Sequence, residues 1–539
     1  MAHRILPVSK QRHLSPAIVF PWVALLTFLF FSSSLLAQNQ GRLHFRVSLD
    51  PGLSKAAVAG RLIVFMTSDP KPQETLRPGI VPGGPPVMWF AAREVEDLAP
   101  GKPVDLDPDE IAYPQPLSQA PPGNYQIMAL LDTDHTAAYN FFGAFSSKDL
   151  RSTVIEVKGL NPKQSAPVEL TLTEDATNDA STEPRNNSQS IDFVSRSLSK
   201  FWGRKIHMRG YVALPPGYAN SHERYPTVYW THGFGADLEN LAGVAARFRK
   251  EMADGDLPPM IWIILDESCS GGTHEFADSV NNGPWGKALT TELIPYLEHT
   301  YRMDATRQGR FLTGHSSGGW ATMWLEVTYP KVFGGNWSTS PDPVDFRDFT
   351  NIDLTKDQNA YTRPDGKPTP LVRMGGKEIG NFRELSQEEV VMGDYGGQVA
   401  SFEWVFSPRG TDGRPMPMFD RHSGTIHRDV ADYWLAHYDI SRILTQHAKQ
   451  LVPQLRGKIH IIVGTADTFY LDGAVHLLDQ TITPLGYNPK ITYLKGRTHM
   501  DLYEGGLEQR IAEQMYSSAR PGNHWKPNTV PDRATQIAQ

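Results

Sequence analysis

The stretch FLTGHSSGGWATMW, residues 311–324, sets two adjacent serines between glycines directly after an apolar run. Gly314-His315-Ser316-Ser317-Gly318 fits the pattern G-x-S-x-G with Ser316 at its centre; centring on Ser317 would need glycine at 315, where histidine stands. Such a serine sits on a strained strand-to-helix turn, so its near neighbours must be small for the backbone to fold back without clashing. Its hydroxyl needs a base and the base needs an orienting carboxylate, in the chain order serine, acid, histidine. The run KIHIIVG leads into Thr465-Ala466-Asp467, and KITYLKGRTHMD delivers His499 beyond the next apolar run. Asp472 and, more weakly, Asp342 compete with Asp467 for the acid position, and Asp467 also suits a helix N-cap. WTHGFGAD supplies His232-Gly233-Phe234-Gly235 after an earlier strand candidate. Backbone N–H groups of Phe234 and Ser317 are then the candidate oxyanion donors, each worth roughly 3–4 kcal/mol at the transition state. These residue types in this order point to acyl transfer through a covalent serine intermediate.

Nucleophile, acid, base and oxyanion turn must gather at one place, and the carboxyl edge of a parallel sheet provides it. From residue 191 the pattern supplies such a sheet. YPTVYWTHG, MIWIILD, RFLTG, VFGGNWSTS, KIHIIVGTAD and KITYLKG are short apolar runs of buried-strand type, with helical stretches between them. In WGKALTTELIPYLEHTY the spacing predicts Leu289, Leu293, Tyr296 and Leu297 on one helical face. The expected fold class is α/β, with a mostly parallel sheet. Between 343 and 454 this rhythm fails, and an insertion of that length is expected to form a cap or binding element over one end of the sheet.

Residues 41–172 read differently. RLHFRVSL, GRLIVFMTS, PVMWFAAREV, GNYQIMALLD, STVIEVKGL and APVELTLT alternate and are broken by Pro and Gly, which predicts an antiparallel β-sandwich accessory domain. The aromatics of VMWF and YNFFGAF could bind carbohydrate, but core packing is the preferred reading. Residues 173–190 read as a polar linker, and 516–539 as a loosely held polar tail.

Whole-chain properties limit the alternatives. In residues 1–37, Arg4, Lys10 and Arg12 precede an apolar run from Ala17 to Phe31 and a small-residue end at Ala37, the pattern of a secretory signal peptide. The expectation is therefore an exported protein, periplasmic or secreted, with no membrane segment after cleavage. A formal charge of −7, becoming −10 when the leader's three basic residues are subtracted, gives no support to nucleic-acid binding. With Cys269 as the single cysteine no internal disulfide can form, and Cys269 itself reads as a small buried residue rather than a second nucleophile. His274-Glu275 lacks the second histidine of a zinc-protease motif, and neither a phosphate-binding loop nor a convincing dinucleotide fingerprint is present, so no cofactor or metal is expected. Oligomeric state is not legible.

YVALPPGY, YPTVYWTHGFGAD, NNGPWGKALTTELIPYLEHTYR, GRFLTGHSSGGWATMWLEVTYPKVFGGNWSTSPDP, IIVGTADTFYLD and GRTHMD make residues 191–515 resemble the putative-esterase (esterase D-like) family of α/β-hydrolases. That family includes feruloyl and acetylxylan esterases, enterochelin esterases and S-formylglutathione hydrolases. The resemblance implies an α/β-hydrolase fold with Ser316 as nucleophile, His499 as base, Asp467 as acid, and Phe234 and Ser317 as oxyanion donors. The insertion and the N-terminal β domain depart from the family and bear on the substrate, expected to be a small-molecule or glycan-linked ester such as a polysaccharide or siderophore ester. An acyltransferase to a sugar hydroxyl on the same core, a non-catalytic binding or adhesion protein using the scaffold, and a serine peptidase are the alternatives.

Overall fold

A computed structural model describes residues 41–70, 76, 88–135, 148–175, 189–236, 238–393, 397–523 and 525. The leader at 1–37 lies outside these residues, as do YNFFGAF and most of the expected linker.

The N-terminal part contains β1 (Phe45–Leu49), β2 (Val58–Thr67), β3 (Met88–Leu98), β4 (Val104–Leu106), β5 (Ala112–Tyr113), β6 (Gly123–Asp132), β7 (Leu150–Ser152), β8 (Ile155–Leu160) and β9 (Val168–Asp175). They form one hydrogen-bonded sheet in the order β4-β1-β9-β7-β6-β2-β3-β5, with β8 also on β6. Alternation predicts a purely antiparallel arrangement, yet β1 pairs with β9 in parallel, Phe45 opposite Val168 through Leu49 opposite Leu172. Phe45, Val47 and Leu172 meet Leu62, Val64 and Leu131 in a single core, so the sheet folds over on itself. In β9 burial alternates strictly, as expected of a strand with one wet face. Strand β2 is buried on both faces over its last eight residues, because Ile63 and Phe65 enter a second cluster with Phe90, Leu130, Val391 and Met392. Trp89 and Phe90 are core residues.

The α/β part begins at β10 (Gln189–Ser195), so both ends of the expected 173–190 linker belong to strands. It continues through α1 (Arg196–Trp202), β11 (Ile206–Ala213), β12 (Thr227–Thr231), α2 (Leu238–Asp254), β13 (Ile261–Leu265), a helix α3 over residues 285–300, β14 (Arg310–His315), α4 (Ser317–Thr328) and β15 (Gly335–Thr339). The insertion comes next, with the hairpin β16 (Pro370–Met374) and β17 (Lys377–Asn381), then α5 (Phe382–Met392), α6 (Gln398–Phe406), α7 (Arg428–His437), α8 (Ile440–Gln446) and α9 (Ala448–Leu455). Strand β18 (Ile459–Gly464), α10 (Leu471–Ile482), β19 (Lys490–Leu494) and α11 (Leu507–Ala519) complete it. The eight-stranded sheet has the order β10-β11-β13-β12-β14-β15-β18-β19, antiparallel at its first two pairings and parallel at the remaining five. That order is the α/β-hydrolase topology, and it explains IWIIL in β13: a strand with helices on both faces is buried throughout. Leu198, Leu289 and Leu297 pack on one face of the sheet, and Phe248, Met252 and Ile511 on the other.

Two expectations shift. Tyr296 is not on the buried face of α3 but 48% exposed, packed on Phe193 with ring centroids 5.1 Å apart. The cause is a π-helical turn over Leu289–Leu293, which widens the helix and rotates the residues beyond it out of the 3.6-residue register. The tail after Met515 continues as helix to Ala519, and Arg520 then ties it down on both carboxylate oxygens of Asp304, at 2.7 and 3.0 Å. Among the described residues no helix is long and apolar enough to cross a membrane.

Candidate active site

Strand β14 ends at His315 and α4 starts at Ser317, leaving Ser316 alone at the turn with φ 60° and ψ −125°. A non-glycine residue in that conformation costs on the order of 1–3 kcal/mol and persists only where its surroundings hold it. Here the backbone N–H of Ser316 donates to Thr339 O at 3.0 Å, while its carbonyl accepts from Trp320 at 3.0 Å and Asp342 at 3.2 Å. The flanking glycines are needed for contact, not for φ. A Cβ on Gly314 would lie 2.3 Å from Thr231 Oγ1, and one on Gly318 2.5 Å from His232 O.

Asp467 follows β18 and His499 follows β19, at the carboxyl edge where β14 also ends. The loops bring them together: His499 Nδ1 donates to Asp467 Oδ2 at 3.0 Å. The other Asp467 oxygen accepts from the N–H groups of Phe469 and Leu471 at 2.9 and 3.3 Å. Burial by itself would raise this carboxyl, but His499 and the backbone donors hold it below its ordinary value. Asp472 has no part in this pair; it takes Arg373 at 2.7 Å. Ser316, His499 and Phe234 line one cavity. The 232–235 turn lies against the serine, since a Cβ on Gly233 would come 3.1 Å from Ser316 Cβ. His232 fastens that turn, its Nδ1 donating to Gly233 O at 2.8 Å and its Nε2 accepting from the Glu267 N–H at 2.9 Å. Ser317 opens α4, so its N–H belongs to the first turn, whose donors have no acceptor within the helix.

Three groups close to these residues go beyond the sequence reading. Asp342, which the sequence offers only as a rival acid, lines the cavity and accepts from Ser317 Oγ at 2.6 Å and from Ser316 Oγ at 3.5 Å. Burial pushes its carboxyl up to about 6. His315 packs on His499 with ring centroids 4.3 Å apart, and burial together with His499 lowers it to about 3. It therefore stays neutral and does not oppose a positive charge on His499. Arg373, from β16 of the insertion, donates through Nε to Asp467 O at 2.7 Å and lies over the Tyr470 ring. The irregular sequence around it carries no pattern that announces this clamp. Burial lifts the Cys269 thiol to about 12, which removes it as a thiolate nucleophile at neutral pH. Glu267 and Glu275 are fully buried with carboxyl oxygens that have no hydrogen-bond partner among the described residues; burial takes Glu267 to about 8 and Glu275 well above its usual value.

The far wall of the cavity is apolar: Leu371 and Val372 of β16, Phe382 and Leu385 of α5, Val399 and Phe402 of α6. Thr350 and Gln398 also line it, and among the described residues no lysine or arginine does. Among the described residues one group of carboxylates is close enough to share an ion, Asp132, Asp134 and Asp149 of the N-terminal sheet, with oxygens within 4.8 Å of one another. No such group surrounds Ser316.

Residues 202–506 match the family described as Putative esterase. Among curated proteins, an endo-1,4-beta-xylanase/feruloyl esterase of Xylanibacter ruminicola is 28% identical over 159 residues, 28% of this chain and 20% of that protein. A protein named as an esterase of Mycobacterium tuberculosis is 28% identical over 144 residues, 26% of this chain and 30% of that one. The chain spans less than a third of the length of these curated relatives. Among solved structures, a ferulic acid esterase superposes with a TM-score of 0.39 at 15% identity, covering 62% of this chain and 100% of that one. An S-formylglutathione hydrolase from Agrobacterium tumefaciens gives a TM-score of 0.34 at 14% identity, covering 62% and 95%.

Two measurements test this geometry. Gly318→Ala forces a methyl against the carbonyls of Thr231 and His232 and is expected to cost about 1–3 kcal/mol, read as a lower urea midpoint. An unchanged midpoint would show that α4 does not need this close approach. Asp342 has a folded-state pKa near 6 against about 3.9 unfolded, so its contribution falls as pH rises from about 4 to 6, by about 3 kcal/mol in all. Asp342→Asn is accordingly expected to gain stability over the native protein across that window and to hold the gain above it, and a pH-independent difference would contradict the shift.

Proposed function

The chain belongs to the family described as Putative esterase, which its residues 202–506 match, and from that premise we propose that it is a serine carboxylic-ester hydrolase. Ser316 is the nucleophile, His499 the general base and then acid, and Asp467 the group that fixes the imidazole. The observation that carries this reading is the 3.0 Å His499–Asp467 hydrogen bond in the same cavity as a strained, glycine-flanked serine. His499 Nε2 takes the Ser316 proton as Oγ attacks the ester carbonyl, and the oxyanion is received by the N–H groups of Phe234 and Ser317. The same proton goes to the departing alkoxide, which leaves as an alcohol. Water then repeats the sequence on the acyl-serine and releases the acid and the free hydroxyl. The Ser316 hydroxyl lies 3.5 Å from Asp342 Oδ1, and the proton transfer requires it to turn to His499 Nε2. Asp342 receives the Ser317 side chain while the Ser317 N–H serves the oxyanion.

An apolar wall with no lysine or arginine among the described residues supports an uncharged, apolar acyl group. The name of the X. ruminicola relative turns this toward esters linked to plant polysaccharides, with siderophore esters as the other class that export would bring within reach. The leader pattern in residues 1–37 supports work outside the cytoplasm.

Purified Ser316→Ala is expected to lose p-nitrophenyl acetate turnover and labelling by a fluorophosphonate probe, and full turnover would end this reading. Ser317→Ala keeps its backbone N–H and is expected to stay within about tenfold of the native kcat. Asp467→Asn should lower kcat by about 10⁴, whereas Asp472→Asn and Asp342→Asn should change it by less than about tenfold. A steeper loss in Asp472→Asn than in Asp467→Asn would reassign the acid. A panel of methyl ferulate, acetylated xylan and a catecholate siderophore ester then separates the substrate classes.

A further inference from the structure

The N-terminal sheet reaches the cavity through α5. Arg61 of β2 is only 4% exposed, and each of its guanidinium nitrogens donates: Nε to Val391 O at 2.8 Å, Nη2 to Val390 O at 2.7 Å, and Nη1 to Glu94 Oε1 at 2.7 Å. Those two carbonyls belong to the last turn of α5, where helix carbonyls lack intrahelical donors and the negative end of the dipole lies. A buried cation with two parallel donors is the matched cap for such an end. Beside it, Ile63, Phe65, Phe90 and Tyr113 of the sheet bury Val391 and Met392. This explains why LIVFM in β2 is a continuous apolar run: the face turned away from the domain's own core is covered by the helix.

At its other end α5 starts from a capping box of Asn381 and Glu384, and Phe382 and Leu385 line the cavity with Ser316 and His499. In its middle the buried Glu389 accepts from the N–H groups of Val399 and Ala400 at 2.9 and 3.4 Å, which fixes the start of α6. Val399 and Phe402 of α6 complete the same wall. One path of direct contacts thus runs from Arg61 to the side chains facing the nucleophile.

We propose that the N-terminal β domain is a specificity element of this hydrolase: Arg61 and its apolar platform are positioning residues that hold α5, and through it α6, and so set the acyl pocket. This rests on the esterase reading for the word acyl, not for the contacts. A small acyl group leaves the wall untouched and does not depend on it. A long apolar acyl group lies against Phe382, Leu385 and Phe402 and does.

The test uses the full chain with Arg61→Met, which keeps the stem and removes the donors, and Arg61→Lys, which keeps the charge. Arg61→Met is expected to raise KM for p-nitrophenyl octanoate about tenfold while kcat and KM for p-nitrophenyl acetate stay within about twofold, with Arg61→Lys intermediate. Amide hydrogen exchange should quicken in 382–392 and 398–406 and stay unchanged in 310–328. Equal losses on the two esters, or unaltered exchange in both helices, would overturn the proposal. If the native protein turns over neither ester and takes no fluorophosphonate label, the esterase reading fails instead, and the exchange measurement alone decides whether the β domain holds the helices.

Discussion

Everything at this site depends on how closely backbone approaches backbone around Ser316. Strand β14, the 232–235 turn and the start of α4 meet where Gly314, Gly233 and Gly318 leave no room for a side chain, and the serine is held at φ 60° by a hydrogen bond to the Thr339 carbonyl and by those from the N–H groups of Trp320 and Asp342. The strain is local and small beside the contacts that enforce it. Because these contacts are made by main chain, the hydroxyl is presented to the cavity without a flexible support, the condition for a reacting group to keep its geometry while substrate comes and goes.

Around that fixed point the surroundings are sorted by charge. Asp467 is held below its ordinary value by His499 and backbone donors, His315 is kept neutral by burial, and burial raises the carboxyls of Glu267 and Glu275. Asp467 is therefore the carboxylate paired with the imidazole, while Asp342, buried yet receiving a hydroxyl from Ser317, is raised to about 6 beside the serine. The insertion contributes to this order as well as to the apolar wall. Arg373 holds the carbonyl of Asp467 and the side chain of Asp472, so the loop bearing the acid is tied to the strand that supplies Leu371 and Val372.

The residues that meet at the cavity are readable from the chain because their constraints are local and ordered. A serine flanked by glycines after an apolar strand, an aspartate and a histidine after two later strands, and a glycine turn after an early one leave few ways to assemble in a parallel sheet. Helical spacing misplaces Tyr296 because a π turn is a tertiary adjustment without a sequence period. Arg61 and Arg373 are invisible for a different reason: an arginine that donates to a backbone carbonyl far along the chain looks the same, in sequence, as one that faces solvent. The β domain is recognisable by its alternation, but the parallel β1–β9 pair and the second buried face of β2 depend on partners remote in sequence.

The two strands flanking the insertion, β15 and β18, are direct neighbours, with Asn336 opposite Ile459 and Thr339 opposite Ile462. Pairing them closes a loop that runs from Ser340 to Lys458, and closing a loop of this length carries an entropic cost that local structure does not relieve. The candidate site is divided at the same seam, since Ser316 and the 232–235 turn lie before it and Asp467 and His499 after it. During refolding, therefore, the turn at Ser316 can form while Asp467 and His499 are still out of reach, and the cavity that gathers them is complete only once this loop has closed.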